Sequence, residues 1–190
     1  MGAPAGMRLD RVSRRRYSAS MLRALYPGSF DPPTNGHLNV IQRCSQIFDA
    51  IDVVIAMNPH KNYTFSADER YDMMQELLMG YTNVSVHLWD RLVVDYADQV
   101  GARVMIRGVR ALGDFEYEFE LSMLNRGLNM KVETFFIPTD SQYFVLRSTA
   151  IKELTRLGGD ISTMVPPSVA DRLRKKMRET KAETQPPGEA

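Results

Sequence analysis

The sequence predicts an α/β fold: a doubly wound, Rossmann-like parallel sheet of five strands with helices on both faces. Three observations carry the prediction. Short apolar runs of strand length alternate with longer segments whose apolar residues recur at helical spacing, the pattern of successive βαβ units. The run Ile51-Asp52-Val53-Val54-Ile55-Ala56-Met57 is too continuously apolar for a half-wet sheet and suits a parallel strand covered on both faces. Cationic and hydrogen-bonding residues follow several of the runs directly, at the strand ends where such sheets bind ligands.

Composition bounds the rest. The 190 residues suffice for one domain with a real core. No run approaches the length of a membrane span. The single cysteine, Cys44, excludes an internal disulfide and fits a reducing, cytoplasmic setting. Charge is uneven. Residues 1–20 carry five arginines and one aspartate, and residues 171–190 carry six lysines or arginines and four acids. With +1 overall, residues 21–170 therefore carry −5. An acidic body argues against nucleic acid as a partner, which needs a basic face.

Residues 1–20 show no apolar periodicity and are expected to be a disordered extension. Arginine- and serine-rich, acid-poor composition is also that of an organelle transit peptide. The expected domain is 21–179, with a disordered tail at 180–190 that contains Pro186-Pro187. The first strand is Leu22 to Tyr26. A turn follows, Pro27-Gly28-Ser29-Phe30-Asp31-Pro32-Pro33-Thr34-Asn35-Gly36-His37. Leu38, Ile41, Cys44 and Phe48 then mark one face of a helix over about 36–49. A helix N-terminus at a strand's carboxyl end suits phosphate. Gly28 would let backbone approach it, Ser29 adds a hydroxyl, and His37 falls in the first turn. A turn and a simple helix cap are the alternative account. The pattern is neither a Walker A loop nor the Rossmann glycine fingerprint.

The second strand, 51–57, leads to Asn58-Pro59-His60-Lys61, which puts Lys61 on the ligand side and leaves His60 solvated. Ser66-Ala67-Asp68-Glu69 is a capping box. It opens a helix through about Met79, with Tyr71, Met74, Leu77 and Leu78 inward. Val84 to Leu88 is the third strand, His87 a packed or partly exposed member of it. Leu92 to Val100 is a short helix closed by Gly101. Arg103 to Ile106 is the fourth strand, and Arg107-Gly108-Val109-Arg110 follows it. Two guanidiniums flanking a glycine grip phosphate while backbone approaches it. The helix over about 113–129 has two apolar stripes: Tyr117, Leu121, Leu124 and Leu128, and Phe115, Phe119 and Met123. A surface helix shows one, so this helix is expected to be buried on two sides, by its own subunit or by another. Lys131 to Ile137 is the fifth strand. Ser148 and Thr149 open a helix over about 149–157 that Gly158-Gly159 ends. Ser168 to about Glu179 is a basic terminal helix.

Gly28-Ser29-Phe30-Asp31-Pro32 followed by Thr34-Asn35-Gly36-His37 resembles the signature of the nucleotidyltransferase superfamily with the T/H-x-G-H motif. With Arg107-Gly108-Val109-Arg110 and Asp114-Phe115-Glu116-Tyr117-Glu118 added, the chain is similar to the bacterial phosphopantetheine adenylyltransferase family from about Met21 to Met177. Met21 stands where chains of that family begin. The resemblance implies adenylyl transfer from ATP, with Mg²⁺, to 4′-phosphopantetheine in coenzyme A biosynthesis. It implies a homo-oligomer, a hexamer. It assigns His37 the catalytic role and Ser29, Lys61, Leu92, Val93 and Arg107 to phosphopantetheine. It assigns Ser29, Phe30, His37, Gly108, Val109, Arg110, Glu118, Tyr143, Phe144, Val145, Leu146, Arg147, Ser148 and Thr149 to ATP. Ser29 stands for the usual threonine and keeps its hydroxyl. Arg147 stands where the family's first serine is usual, and would either meet the triphosphate or point away. A nicotinamide- or nicotinate-mononucleotide adenylyltransferase shares the first loop, and a non-catalytic nucleotide-binding regulator would keep the fold.

Overall fold

The computed structural model describes residues 21–143 and 147–184. Five strands alternate with helices: β1 (Arg23–Gly28), α1 (Asn35–Cys44), β2 (Ala50–Ala56), α2 (Ala67–Leu78), β3 (Val84–Trp89), α3 (Val93–Val100), β4 (Val104–Val109), α4 (Leu112–Leu128) and β5 (Glu133–Pro138). A 3₁₀ turn (Ser141–Tyr143), α5 (Ser148–Arg156) and α6 (Pro167–Thr184) follow. All four strand pairs are parallel, in the order β3-β2-β1-β4-β5. This is the doubly wound sheet that the alternation predicts.

Side-chain alternation divides the core. Ala24 and Tyr26 of β1 pack with Val40, Ile41 and Cys44 of α1 and Met74 and Leu78 of α2 on one face. Leu25, Val54 and Met105 point the other way, onto Val94, Tyr96 and Ala97 of α3. The far side of α2 is buried in turn: Phe65 and Met73 pack with Ile151 of α5 and Val169, Ala170 and Leu173 of α6. The α2 face is thus wider than Tyr71, Met74, Leu77 and Leu78 suggest. Met73 and Arg70 are its fully buried additions.

Several bounds differ from expectation for visible reasons. Helix α1 stops at Cys44, not 49: a turn in which the Ile47 and Phe48 N–H groups donate to the Cys44 carbonyl follows it, and the Asp49 carboxylate accepts the Leu22 N–H at 2.7 Å just before β2. Strand β4 runs to Val109, because β5 pairs with it through Gly108↔Ile137 and Val109↔Pro138. Arg107 and Gly108 are therefore strand residues rather than loop residues. Gly101 ends α3 in the left-handed region, φ 69°. Helix α6 continues to Thr184, beyond the expected end at 179. The expected extension at 1–20 and residues 185–190 lie outside the described residues. His87 is held by the Ser85 hydroxyl, 3.0 Å away, and His60 is exposed, both as expected.

Helix α4 decides between the two covers expected for it only within this chain. None of its residues is buried in this chain. Tyr117, Leu124 and Leu128 of one stripe and Met123 of the other are all more than half exposed. The two stripes are not covered by the chain's own core.

The sheet centre carries the load of stability. Ile55, wholly buried in β2 opposite Gly28, is expected on replacement by alanine to cost about 2–5 kcal/mol. Ile47→Ala, at an exposed position, should stay within about 0.5 kcal/mol. Urea melts of the two variants make the comparison.

Candidate active site

Strands β1 and β4 are neighbours at the point where the order of strands reverses, yet they pair only through Ala24↔Val104 and Leu25↔Met105. Beyond that they part, and the crevice between their carboxyl ends is the binding position of such sheets. A cavity of about 520 Å³ opens there. Arg107 spans the parting, donating from Nη1 to the Pro27 carbonyl at 3.0 Å.

Of the expected site residues, Ser29, Phe30, His37, Lys61, Arg107, Gly108, Arg110, Glu118, Arg147, Ser148 and Thr149 line this cavity together. Five cations line it against three carboxylates, and each carboxylate is already engaged: Glu118 with Arg107 through two contacts of 2.6 and 2.8 Å, Asp114 with Arg110 and Arg147 at 3.0 Å each, and Asp31 with Lys152 at 2.8 Å. The excess positive charge suits a polyanion. Arg147 is thus turned to the cavity rim by Asp114. Glu118, expected on ATP, is the side chain that orients Arg107.

The predicted set does not all converge. Val109 and Tyr143 do not line the cavity, and Tyr143 packs instead against the α5–α6 core. Phe144, Val145 and Leu146 lie outside the described residues. Val93 lines a smaller hollow of about 170 Å³ that shares Pro27, Arg107 and Glu118 with the main cavity. Leu92 lines neither, and its carbonyl accepts from the Trp89 indole at 2.8 Å. Gly28 lines the cavity and also has a packing reason: a Cβ there would sit 2.9 Å from the Phe30 ring. Phe30, in the left-handed region at φ 48°, tucks that ring under the loop and edge-on to His37, 5.0 Å between centroids.

Thr34 explains the spacing to His37. It is the N-cap of α1, and its hydroxyl accepts the His37 N–H at 3.3 Å. The His37 ring reciprocates: Nδ1 accepts the Thr34 N–H at 3.0 Å, in the role that Glu usually plays in a capping box. A backbone N–H only donates, so Nδ1 carries the lone pair and the proton of the neutral ring is on Nε2. Burial, then Arg110, then Arg107 push the imidazole from 6.5 down to about 4. At neutral pH the ring is a fixed, uncharged donor.

Sequence reading missed Asp31, Lys152, Asp114 and Arg70. Asp31 is buried and accepts the Thr64 and Phe65 N–H groups at 3.0 and 2.9 Å, fastening the loop after β1 to the start of α2. No local pattern marks a carboxylate whose partners lie 33 and 121 positions away. Neither hydroxyl–amine nor hydroxyl–imidazole contact is a nucleophile–base couple. Thr34 is buried in the cap. Lys61, whose Nζ is 3.1 Å from Ser29 Oγ, is exposed, whereas a lysine that serves as a base is a desolvated one.

The model of the cytidylyltransferase-like family matches residues 25–154. A phosphopantetheine adenylyltransferase of Desulfatibacillum aliphaticivorans is 46% identical over 157 residues, 83% of this chain and 90% of that one. Those of Alkaliphilus metalliredigens and Oleidesulfovibrio alaskensis are 43% and 48% identical, over 80% of this chain and 97% and 90% of theirs. Among solved structures, a Vibrio parahaemolyticus protein classed with nicotinate-nucleotide adenylyltransferases superposes with a TM-score of 0.60 at 20% identity, covering 81% of this chain and 99% of that one. That likeness shows the fold.

The depressed imidazole has a definite sign. As pH falls, the unfolded chain takes up a proton near 6.5 and the folded one only near 4. Stability contributed by neutral His37 is therefore present above the first value and lost as pH falls toward the second. An NMR titration of His37 is expected to show a midpoint near 4. In His37→Asn, the acid loss of stability across that window should shrink. A midpoint near the ordinary value would overturn the account.

Proposed function

The chain belongs to the cytidylyltransferase-like family and, within it, to the phosphopantetheine adenylyltransferases, and on that premise we propose that it transfers the adenylyl group of ATP to 4′-phosphopantetheine, giving dephospho-coenzyme A and pyrophosphate. The observation that carries this reading is a cleft with a cation excess and a neutral histidine donor, but no nucleophile–base couple. Such a site grips polyanions and forms no covalent intermediate.

The chemistry needs little else. A phosphomonoester carries about −1.5 to −2 at pH 7, since its second pKa is about 6, and attacks without a general base. One of its oxygens bonds to the α-phosphorus of ATP. The bond from that phosphorus to the bridging oxygen breaks, and pyrophosphate leaves with the electron pair. The work is to bring two polyanions together and to stabilise charge on the α-phosphate. Lys61 and Arg107 hold the acceptor phosphate and Ser29 touches both substrates. Gly108, Arg110, Arg147, Ser148 and Thr149 hold ATP. His37 donates from Nε2 to an α-phosphate oxygen as charge builds. The smaller hollow, with Val93, Leu121, Ser122, Asn125 and Thr134, suits the amide-bearing pantetheine arm beside Arg107.

Mg²⁺ accompanies the triphosphate. Among the described residues no group of three or more acidic, histidine or cysteine side chains could hold a metal, which fits an ion carried mainly by phosphate oxygens and water. It would neutralise part of the triphosphate charge. The enzyme is proposed to be cytoplasmic. No helix among the described residues is long and apolar enough to cross a membrane, and Cys44 is a buried free thiol. The uncovered stripes of α4 support a homo-oligomer, a hexamer by family resemblance. Light scattering should give a multiple of the monomer mass, and a monomer would overturn this.

Pyrophosphate release is the test, with ATP, Mg²⁺ and either 4′-phosphopantetheine or nicotinamide mononucleotide. Release with phosphopantetheine alone is expected. Release with the mononucleotide would overturn the acceptor, and silence with both would favour a regulator. His37→Ala should lower kcat by about 10²–10³ with ATP binding little changed, the size of one lost donor to a developing charge. Arg147→Ser should raise the KM for ATP severalfold and leave kcat nearly intact.

A further inference from the structure

Arg70 is 2% exposed, and it heads the fully buried side chains by volume. A buried cation is costly unless paired. Yet among the described residues Arg70 makes no ion pair with a carboxylate. Its partners are the Ser29 carbonyl, 2.8 Å from Nη1, the Ser66 carbonyl, 3.2 Å from Nε, and the face of Tyr63, 4.1 Å from Cζ to the ring centroid.

Those partners belong to different strand ends. Ser29 is the hydroxyl residue of the loop after β1. Tyr63 closes the loop after β2 that carries Lys61. Its hydroxyl accepts the Asn58 N–H at 3.0 Å and reaches the Ala56 carbonyl at 3.4 Å. Asn58 in turn accepts the Lys61 N–H at 3.1 Å. Lys61 Nζ returns to Ser29 Oγ at 3.1 Å, closing a ring of contacts above the guanidinium. Stacking on one face while donating to carbonyls in its own plane is a geometry open to a planar guanidinium and not to an ammonium. Through the Ser29 carbonyl Arg70 also touches a residue that lines the cavity.

We infer that Arg70 is a positioning residue: it fastens the Ser29 loop to the Lys61 loop and so sets the distance between Ser29 and Lys61, two of the groups assigned to the acceptor. The inference rests on the proposed reaction for its kinetic consequence but not for its structural one. It predicts that Arg70→Lys, which keeps the charge and loses the stack, raises the KM for 4′-phosphopantetheine on the order of tenfold, the size of a lost charged hydrogen bond. The KM for ATP should move by no more than about threefold, because Gly108, Arg110, Arg147, Ser148 and Thr149 hold it from other elements and only the Ser29 loop is shared.

The experiment is steady-state kinetics beside amide hydrogen exchange on the full-length wild type, Arg70→Lys, Tyr63→Leu and the double variant. Amides of residues 58–65 should exchange on the order of tenfold faster in each variant, while those of β1 and β2 are unchanged. The double variant should be no worse than the poorer single one, because both break one contact. Tyr63→Leu carries the test alone if Arg70→Lys does not fold. A lowered Tm with unaltered KM ratio and unaltered exchange at 58–65 would overturn the inference and leave Arg70 a core residue. A wild type that turns over neither substrate would sink the proposed reaction, while the exchange data would still judge Arg70.

Discussion

Arg107 reaches across the gap between β1 and β4, donating to the Pro27 carbonyl on one side and held by both oxygens of Glu118 on the other. The site depends on this arrangement. Two parallel strands that stayed paired to their ends would leave no room for a ligand between them. Here the ladder stops after Leu25↔Met105, and Pro27 has no N–H to extend it. The guanidinium replaces the missing backbone contacts with a side chain that keeps its charge. The opening is thus held at a fixed width by a group that also attracts phosphate.

Cations gathered for polyanions repel one another before any ligand arrives. The structure answers with three carboxylates, each tied to at least one of them. Asp114 holds two arginines from different elements, Arg110 after β4 and Arg147 before α5. Asp31 does the same for Lys152 while accepting two backbone N–H groups. Pre-orientation of this kind lowers the cost of ordering long side chains at the moment of binding. It also explains why no carboxylate in the cleft is left free to act as a base.

The sheet was legible because its signals are local: apolar runs, helical spacing, the Ser66–Glu69 box, Gly101. So were the cationic residues at strand ends, whose positions follow once the strands are placed. What escaped is whatever depends on distant partners. Arg70 looks like any charged residue of an amphipathic helix until α2 is found packed on both sides. Asp31 looks like a turn residue until Lys152 meets it from α5. Helix α4 shows a different limit. Its double stripe was legible, with cover by its own subunit or by another both open, and among the described residues the chain's own core does not supply it. Gly28 has a packing reason that the sequence could not show, since a side chain there would meet the ring of Phe30 from two positions along.

His37 brings these strands of the argument together. The Thr34 N–H takes the Nδ1 lone pair, so the ring cannot rotate or change tautomer without giving up the cap of α1. Burial and the two arginines then oppose a second proton. Burial and the positive field of Arg110 and Arg107, a field that suits phosphate, both keep the histidine neutral. A neutral imidazole with its proton on Nε2 is a poor acid for full proton transfer but a well-placed hydrogen-bond donor. The chemistry that fits it is stabilisation of growing charge on a phosphoryl oxygen, with no proton passed. In the proposed adenylyl transfer the attacking phosphate is already ionised, so positioning and charge stabilisation are the main demands on the site.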